Sequence, residues 1–153
     1  MVIIVERADP RSPSARELLR AGHAAMQALF PAKRQVAFSI EAFLADSVLL
    51  FVASVAGRDV GCCALFLNRD FAELKRLYVA PNARRQGAAD RLVAHAEKVA
   101  MGAGFTQLKL ETGATLSASH RLYARHGFTQ CEVFGDHAPS SESLFLVKQL
   151  LSR

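Results

Sequence analysis

One stretch prescribes chemistry most clearly: Leu77-Tyr78-Val79-Ala80-Pro81-Asn82-Ala83-Arg84-Arg85-Gln86-Gly87-Ala88-Ala89-Asp90-Arg91-Leu92. A strand ending at Val79 leads into a short basic loop, then into a helix that opens Gln86-Gly87-Ala88-Ala89. The first four N–H groups of a helix have no internal partner. Small residues there let an anion approach the backbone, and the helix dipole, with Arg84 and Arg85, favours negative charge. The expected ligand is a phosphate or a pyrophosphate. A Walker loop is excluded because no Gly-Lys-Ser/Thr is present. A dinucleotide fingerprint is excluded because the glycine triplet is missing and an antiparallel meander precedes the loop. Taken alone, a small, basic helix start is also an ordinary surface feature.

Other reactive residue types are scattered. His23, His95, His120, His126 and His137 have no partner at metal-ligand spacing, so no metal site is expected and the rings are expected in solvent. His137, beside Asp136 in a polar loop, is placed to reach a substrate mouth. Cys62 and Cys63 are adjacent in a strand, so their side chains point to opposite faces and read as core packing rather than as a nucleophile or redox pair.

These residues need a scaffold. Residues 2–6 read as a strand, broken by Asp9-Pro10-Arg11-Ser12-Pro13. Ser14 and Glu17 have capping-box spacing, and Leu18, Gly22, Ala25, Met26 and Leu29 recur at helical spacing, with Pro31 past the end. Ser39 is a cap for a shorter helix through Leu44. Residues 48–55, 60–67 and 71–79 form an antiparallel meander with turns at Ala56-Gly57-Arg58-Asp59 and Asn68-Arg69-Asp70. A helix over residues 86–101 carries Leu92, Ala96 and Val99 on one face, with Arg91, His95 and Lys98 outside it. The strand at 107–111 follows a strand–helix pair and should run parallel to 71–79 through a right-handed crossover. A helix at 117–126 ends at Gly127, and 128–134 and 144–148 are the last strands. The expected fold is α+β, a mixed and largely antiparallel sheet flanked by helices.

The 153 residues suit one domain, residues 1–153, long enough to bury roughly 68–70% of its unfolded surface without a disulfide or metal staple. At 51% hydrophobic and 22% charged, the composition is that of a globular chain and excludes a disordered one. Three cysteines form no closed disulfide set and no C-x-x-C, which points to a reduced, cytoplasmic chain. The apolar start Met1-Val2-Ile3-Ile4-Val5 is cut short by Glu6, Arg7 and Asp9, so neither a signal peptide nor a membrane partner is expected. The net charge of +5 favours anionic partners. A nucleic acid is disfavoured: the charge is scattered, no RNP pattern is present and no Trp is available for stacking.

A second motif decides the direction. Leu110-Glu111-Thr112-Gly113 closes a strand, and Ser119-His120-Arg121-Leu122-Tyr123-Ala124-Arg125-His126-Gly127-Phe128 runs from helix into strand. The sequence resembles the GNAT superfamily of acyl-CoA N-acyltransferases. Its core loop, Arg/Gln-x-x-Gly-x-Gly/Ala, is matched by Arg84-Arg85-Gln86-Gly87-Ala88-Ala89, and its later Leu-Tyr-x-x-x-Gly-Phe/Tyr by Leu122 through Phe128. The element order resembles the family over nearly the whole chain. Two positions depart: Leu116 stands where the family often has Asn or Gln against the pantetheine arm, and Ser119 where Ala is usual. Ser117 and Ser119 are the residues placed to replace that hydrogen bond.

The resemblance implies direct acetyl transfer from acetyl-CoA to an amine, without a covalent enzyme intermediate and without a metal. The thioester arm would lie between splayed parallel strands. Backbone groups of Leu77, Tyr78 and Val79 would hold it and polarise its carbonyl, an effect typically worth ~2.7–4 kcal/mol per donor. Tyr123 would be the general acid, its phenol of pKa ~10 close enough to a thiol of ~8.5 to assist the leaving thiolate. An alkyl amine of pKa ~10.4 is almost wholly protonated at neutral pH, a handicap of ~4 kcal/mol, so a base is required. Glu73 has the spacing to Gly87 of family members that use a strand glutamate; by period two it shares a face with Lys75, Leu77 and Val79. A Glu73–Lys75 surface pair is the competing reading, and Glu111 is the second choice of base. The acceptor side is expected from residues 16–45 and the loop near 136–143, with Lys33 and Arg34 favouring an acidic or peptide-like amine. A non-catalytic acyl-CoA-binding module of the same fold is the alternative function, and the family allows a homodimer.

Overall fold

The computed structural model describes residues 1–29 and 37–150. Pro31, Lys33 and Arg34 lie outside the described residues. The order is β1 (Ile3–Ala8), α1 (Pro13–Leu29), β2 (Val48–Val55), β3 (Arg58–Leu67), β4 (Ala72–Val79), α2 (Ala88–Gly102), β5 (Gln107–Gly113), α3 (Ser117–Arg125), β6 (Thr129–Gln130) and β7 (Ser143–Gln149). Single 3-10 turns stand at Glu41–Phe43 and Pro81–Ala83. The seven strands form one mixed sheet in the order β1-β2-β3-β4-β5-β7-β6, and β4 and β5 are its parallel pair. This is the expected α+β architecture. No helix among the described residues is long and apolar enough to cross a membrane.

Local chemistry explains most boundaries. Ala56 and Gly57 both have positive φ, the pattern of a two-residue hairpin loop, and they join β2 to β3. The first helix begins one residue earlier than its expected cap. Pro13 takes the first helical position, where its missing N–H costs nothing. The Ser14–Glu17 capping box is therefore not formed: Ser14 Oγ donates to the Asp59 carboxylate, and Glu17 pairs with Arg20. The expected helix after Ser39 is a single 3-10 turn, with the Ser39 hydroxyl accepting from the Glu41 N–H.

Two apolar clusters cover the two faces. On one face α2 and α3 bring Leu92, Val93, Ala96 and Leu122 against Cys63, Leu65, Leu74, Leu108 and Leu110. On the other, α1 brings Ala15, Leu18 and Leu19 against Val48, Leu50, Val52, Cys62 and Ala64. Cys62 and Cys63 do point to opposite faces.

The strand expected over 128–134 shrinks to β6. After Cys131, whose N–H still donates to the Phe145 carbonyl, the chain leaves β7, and Phe134 turns in to pack edge-on against Phe71 and Phe145 at 5.3 and 5.6 Å. That crossing carries the segment back over the face occupied by α1, where it matters for the site.

Candidate active site

The site begins where two parallel strands part. β4 and β5 pair only at Ala72↔Leu108 and Glu73↔Lys109. Beyond Glu73 the β5-facing edge of β4 is open, while β5 remains fully paired to β7. Unpaired strand edges accept an extended partner by backbone hydrogen bonds.

A bulge shapes that edge. Tyr78 pairs with Cys62 and Lys75 with Ala64, so Arg76 and Leu77 together oppose Cys63. Arg76 has φ 59, and its carbonyl accepts from the Cys62 thiol at 3.7 Å. The extra residue inverts the alternation. Ala72 and Leu74 face the α2–α3 side; past the bulge Leu77 and Val79 face it instead, and Tyr78 turns to the α1 side. The expectation that Glu73, Lys75, Leu77 and Val79 share one face is corrected accordingly. The Glu73–Lys75 surface pair is not formed either: Lys75 Nζ lies over the Phe66 ring at 4.7 Å.

A cleft of about 740 Å³ occupies the V. Leu77, Tyr78 and Val79 line one wall, Glu111, Thr112 and Gly113 the other, and Gly22, Ala25 and Met26 of α1 close one side. Gly22 allows this closure, since a Cβ there would stand 3.1 Å from the Tyr78 Cβ.

The far end of the cleft is the basic loop. Arg84, Arg85, Gly87, Ala88 and Ala89 line it, while the Gln86 side chain is exposed and lies outside the lining. Arg85 and Gly87 take left-handed φ values of 62 and 94. Such turns aim backbone N–H groups into an anion-binding concavity. Gly87 is the N-cap of α2 and supplies no side-chain cap, so the first N–H groups of the helix stay available. Arg84 Nε donates to the Val79 carbonyl at 3.0 Å, which fixes the loop against the end of β4. Helix α3 adds Ser119, Arg121 and Arg125 to the lining. The two arginines were missed by motif reading, although three- and four-residue spacing from Ala118 and Leu122 marks their stripe.

Tyr123 also lines the cleft, at 7% exposure, with its ring edge-on to Phe128. Its hydroxyl bonds no described residue, and no described buried side-chain polar atom lacks a partner, so the hydroxyl is the part that opens on the cleft. Burial, with a smaller push from Cys63, raises its pKa far above that of a free phenol. The group therefore holds its proton and is suited to donate a hydrogen bond.

Glu73 does not line the cleft. It is buried at 5% exposure, and His137 Nε2 donates to its Oε2 at 2.7 Å. The other ring nitrogen, Nδ1, stands 3.4 Å from Glu111 Oε1. Ser143 Oγ donates to the second Glu111 oxygen at 2.6 Å. Phe134 and Phe145 pack around the imidazole. A buried carboxylate is thus linked through one ring to a carboxylate on the cleft wall.

The remaining histidines are not free in solvent, contrary to expectation. His120 Nε2 lies 2.8 Å from the Gly113 carbonyl, and His126 Nε2 lies 2.8 Å from Asp90 Oδ1. His95 packs edge-on to Phe51, and His23 lies tilted against Phe38. Burial pushes the Cys62 thiol up to about 12 and Cys63 higher still, which makes both inert.

Comparison with known proteins agrees with this geometry. The model of the Acetyltransferase (GNAT) family matches residues 15–128. The chain belongs to the GNAT acetyltransferase family. It is 29% identical over 150 residues to an IAA acetyltransferase of Azospirillum brasilense, covering 97% of this chain and 98% of that one. A Klebsiella pneumoniae structure solved as a candidate acyl-CoA N-acyltransferase superposes with a TM-score of 0.79 at 26% identity, over 97% and 98% of the two chains. A GNAT acetyltransferase of Elizabethkingia anophelis, solved with acetyl-CoA bound, shares the fold with a TM-score of 0.72 at 19% identity, over 97% and 98%.

Proposed function

We propose that this GNAT chain transfers an acetyl group from acetyl-CoA directly to a primary amine of a small molecule or peptide. The observation that carries this reading is the junction of the open β4 edge with the uncapped start of α2, because the two together fit a diphosphate joined to an extended arm. Backbone N–H groups at Gly87, Ala88 and Ala89 hold the diphosphate, with Gln86 contributing through its backbone and Arg84 and Arg85 supplying charge. Leu77, Tyr78 and Val79 hold the arm and polarise the thioester carbonyl. Ser119 hydrogen-bonds the arm near Leu116.

Tyr123 donates a hydrogen bond to the sulfur as negative charge develops there. Its raised pKa favours that donation over outright proton release. On the acceptor side Glu111 takes a proton from the amine. Passage through His137, in at Nδ1 and out at Nε2, delivers it to Glu73, the final base. The uncharged amine then attacks the carbonyl, the C–N bond forms and the C–S bond breaks, and the second proton of the attacking nitrogen passes to the departing thiolate beside Tyr123, giving the amide and the thiol.

Calorimetric titration with acetyl-CoA, followed by thiol-release assays over an amine panel, tests this reading. We expect micromolar or tighter binding and thiol release that depends on the amine. Binding with no release on any amine would make the chain an acyl-CoA-binding module.

A further inference from the structure

The acceptor half of the cleft holds a cation that no anion among the described residues neutralises. Arg76 occupies the β4 bulge and lines the cleft beside α1. Its side chain is half-buried, and among the described residues its one polar side-chain contact is Met26 Sδ, 3.8 Å from Nη1. A thioether is a weak acceptor and does not offset the lost hydration of a guanidinium. That burial lowers the arginine pKa. Two other cations of the cleft lining have partners: Arg125 pairs with Asp90, and Lys75 lies over the Phe66 ring.

Arg76 is also held in the left-handed region, at φ 59. Such a conformation is strained for a non-glycine residue, and strain of this kind concentrates at ligand clamps. A strained, half-buried guanidinium with no anion among the described residues faces a cleft whose opposite wall carries Glu111, backed by His137 and Glu73. The two walls therefore bear opposite charge. A ligand that complements both has an amine at one end and an anion at the other.

We infer that Arg76 binds a carboxylate of the acceptor, so that the acceptor is an amino acid or a similar small amine bearing a carboxylate. The planar guanidinium matches a carboxylate through two parallel N–H donors. This inference rests on the amine acetylation proposed above and specifies its substrate class.

The test compares the common amino acids with their carboxamides in thiol-release assays on the wild type, Arg76→Asn and Arg76→Lys. Asn tolerates the left-handed backbone, so Arg76→Asn removes the charge without adding strain, and its thermal midpoint checks the fold. The wild type is expected to favour the carboxylate member by roughly tenfold or more in kcat/KM, mostly through KM. Arg76→Asn should bring that ratio close to one, and Arg76→Lys should restore part of it. A ratio near one in the wild type, or one unchanged in Arg76→Asn, overturns the inference. So does a loss of acetyl-CoA affinity in Arg76→Asn with the acceptor preference kept, since the guanidinium would then serve the coenzyme.

A second arm does not depend on turnover. With coenzyme A present, N-acetylated amino acids and their carboxamides are titrated into the wild type. Tighter binding of the carboxylate, lost in Arg76→Asn, supports the inference even if no amine is acetylated, an outcome that would sink only the transfer reading. Equal binding of the two sinks the inference itself.

Discussion

His137 Nε2 lies 2.7 Å from Glu73 Oε2, joining a strand residue to a loop residue 64 positions later. If this pair is the exit route for the amine proton, its members act as a unit. Glu73→Gln is expected to slow turnover roughly tenfold or more, and His137→Asn to match it. The double variant should be no slower than the worse single one, because both changes interrupt one path. Turnover numbers at saturating acetyl-CoA check this, and losses that multiply would mean separate roles.

Tyr123 presents to the cleft a hydroxyl whose burial holds its proton in place. Tyr123→Phe keeps the ring packed on Phe128 and removes only the donor. Turnover should fall roughly tenfold or more while coenzyme A affinity stays nearly intact. An unchanged rate would remove Tyr123 from the mechanism.

Gly87 has φ 94, and a Cβ there would meet only Ile3 Cδ1, at 3.7 Å. The penalty of Gly87→Ala is therefore backbone strain rather than crowding, about 1–2 kcal/mol. Relaxing that strain turns the loop N–H groups away from their common centre. Coenzyme A affinity should drop about fivefold or more by titration, and the thermal midpoint should fall by roughly 2–8 °C.

The long elements were legible in the sequence because their periodicity and punctuation are local. Val48–Val55 is an apolar run, interrupted only by Ser54 and closed by Ala-Gly, and it is found with those bounds. The basic loop was legible for the same reason: Arg84 through Ala89 is contiguous. What failed depended on tertiary partners. The bulge at Arg76 follows from ladder register against Cys62 and Ala64, and nothing in Lys75-Arg76-Leu77 announces it. The meeting of Glu73, His137 and Glu111 requires the crossover to set β5 beside β4, and Phe134 to turn the later loop inward. A histidine read alone therefore looked solvated.

Asp90 couples the start of α2 to the end of α3. Its partial burial raises the carboxyl pKa, but hydrogen bonds from His126 and Arg125, with their charge, outweigh that and hold it below its ordinary value of 3.8. A lowered folded pKa gives stability that is complete above the unfolded value and lost as pH falls through the folded one. Asp90→Asn should therefore lower the thermal midpoint at about pH 6, and the gap to the wild type should close as the pH drops below about 4. A gap independent of pH would show that the carboxylate charge is not what braces α2 against α3.

The most direct measurement follows the acetyl group itself. Acetyl-CoA labelled in the acetyl carbons is incubated with the chain and a panel of amino acids and other primary amines, and the products are resolved by mass spectrometry. Label should move to an amine nitrogen with one thiol released per amide formed, and Tyr123→Phe should slow both together. Label that stays on a tightly bound coenzyme through every amine, with no thiol released, would contradict acetyl transfer by this site.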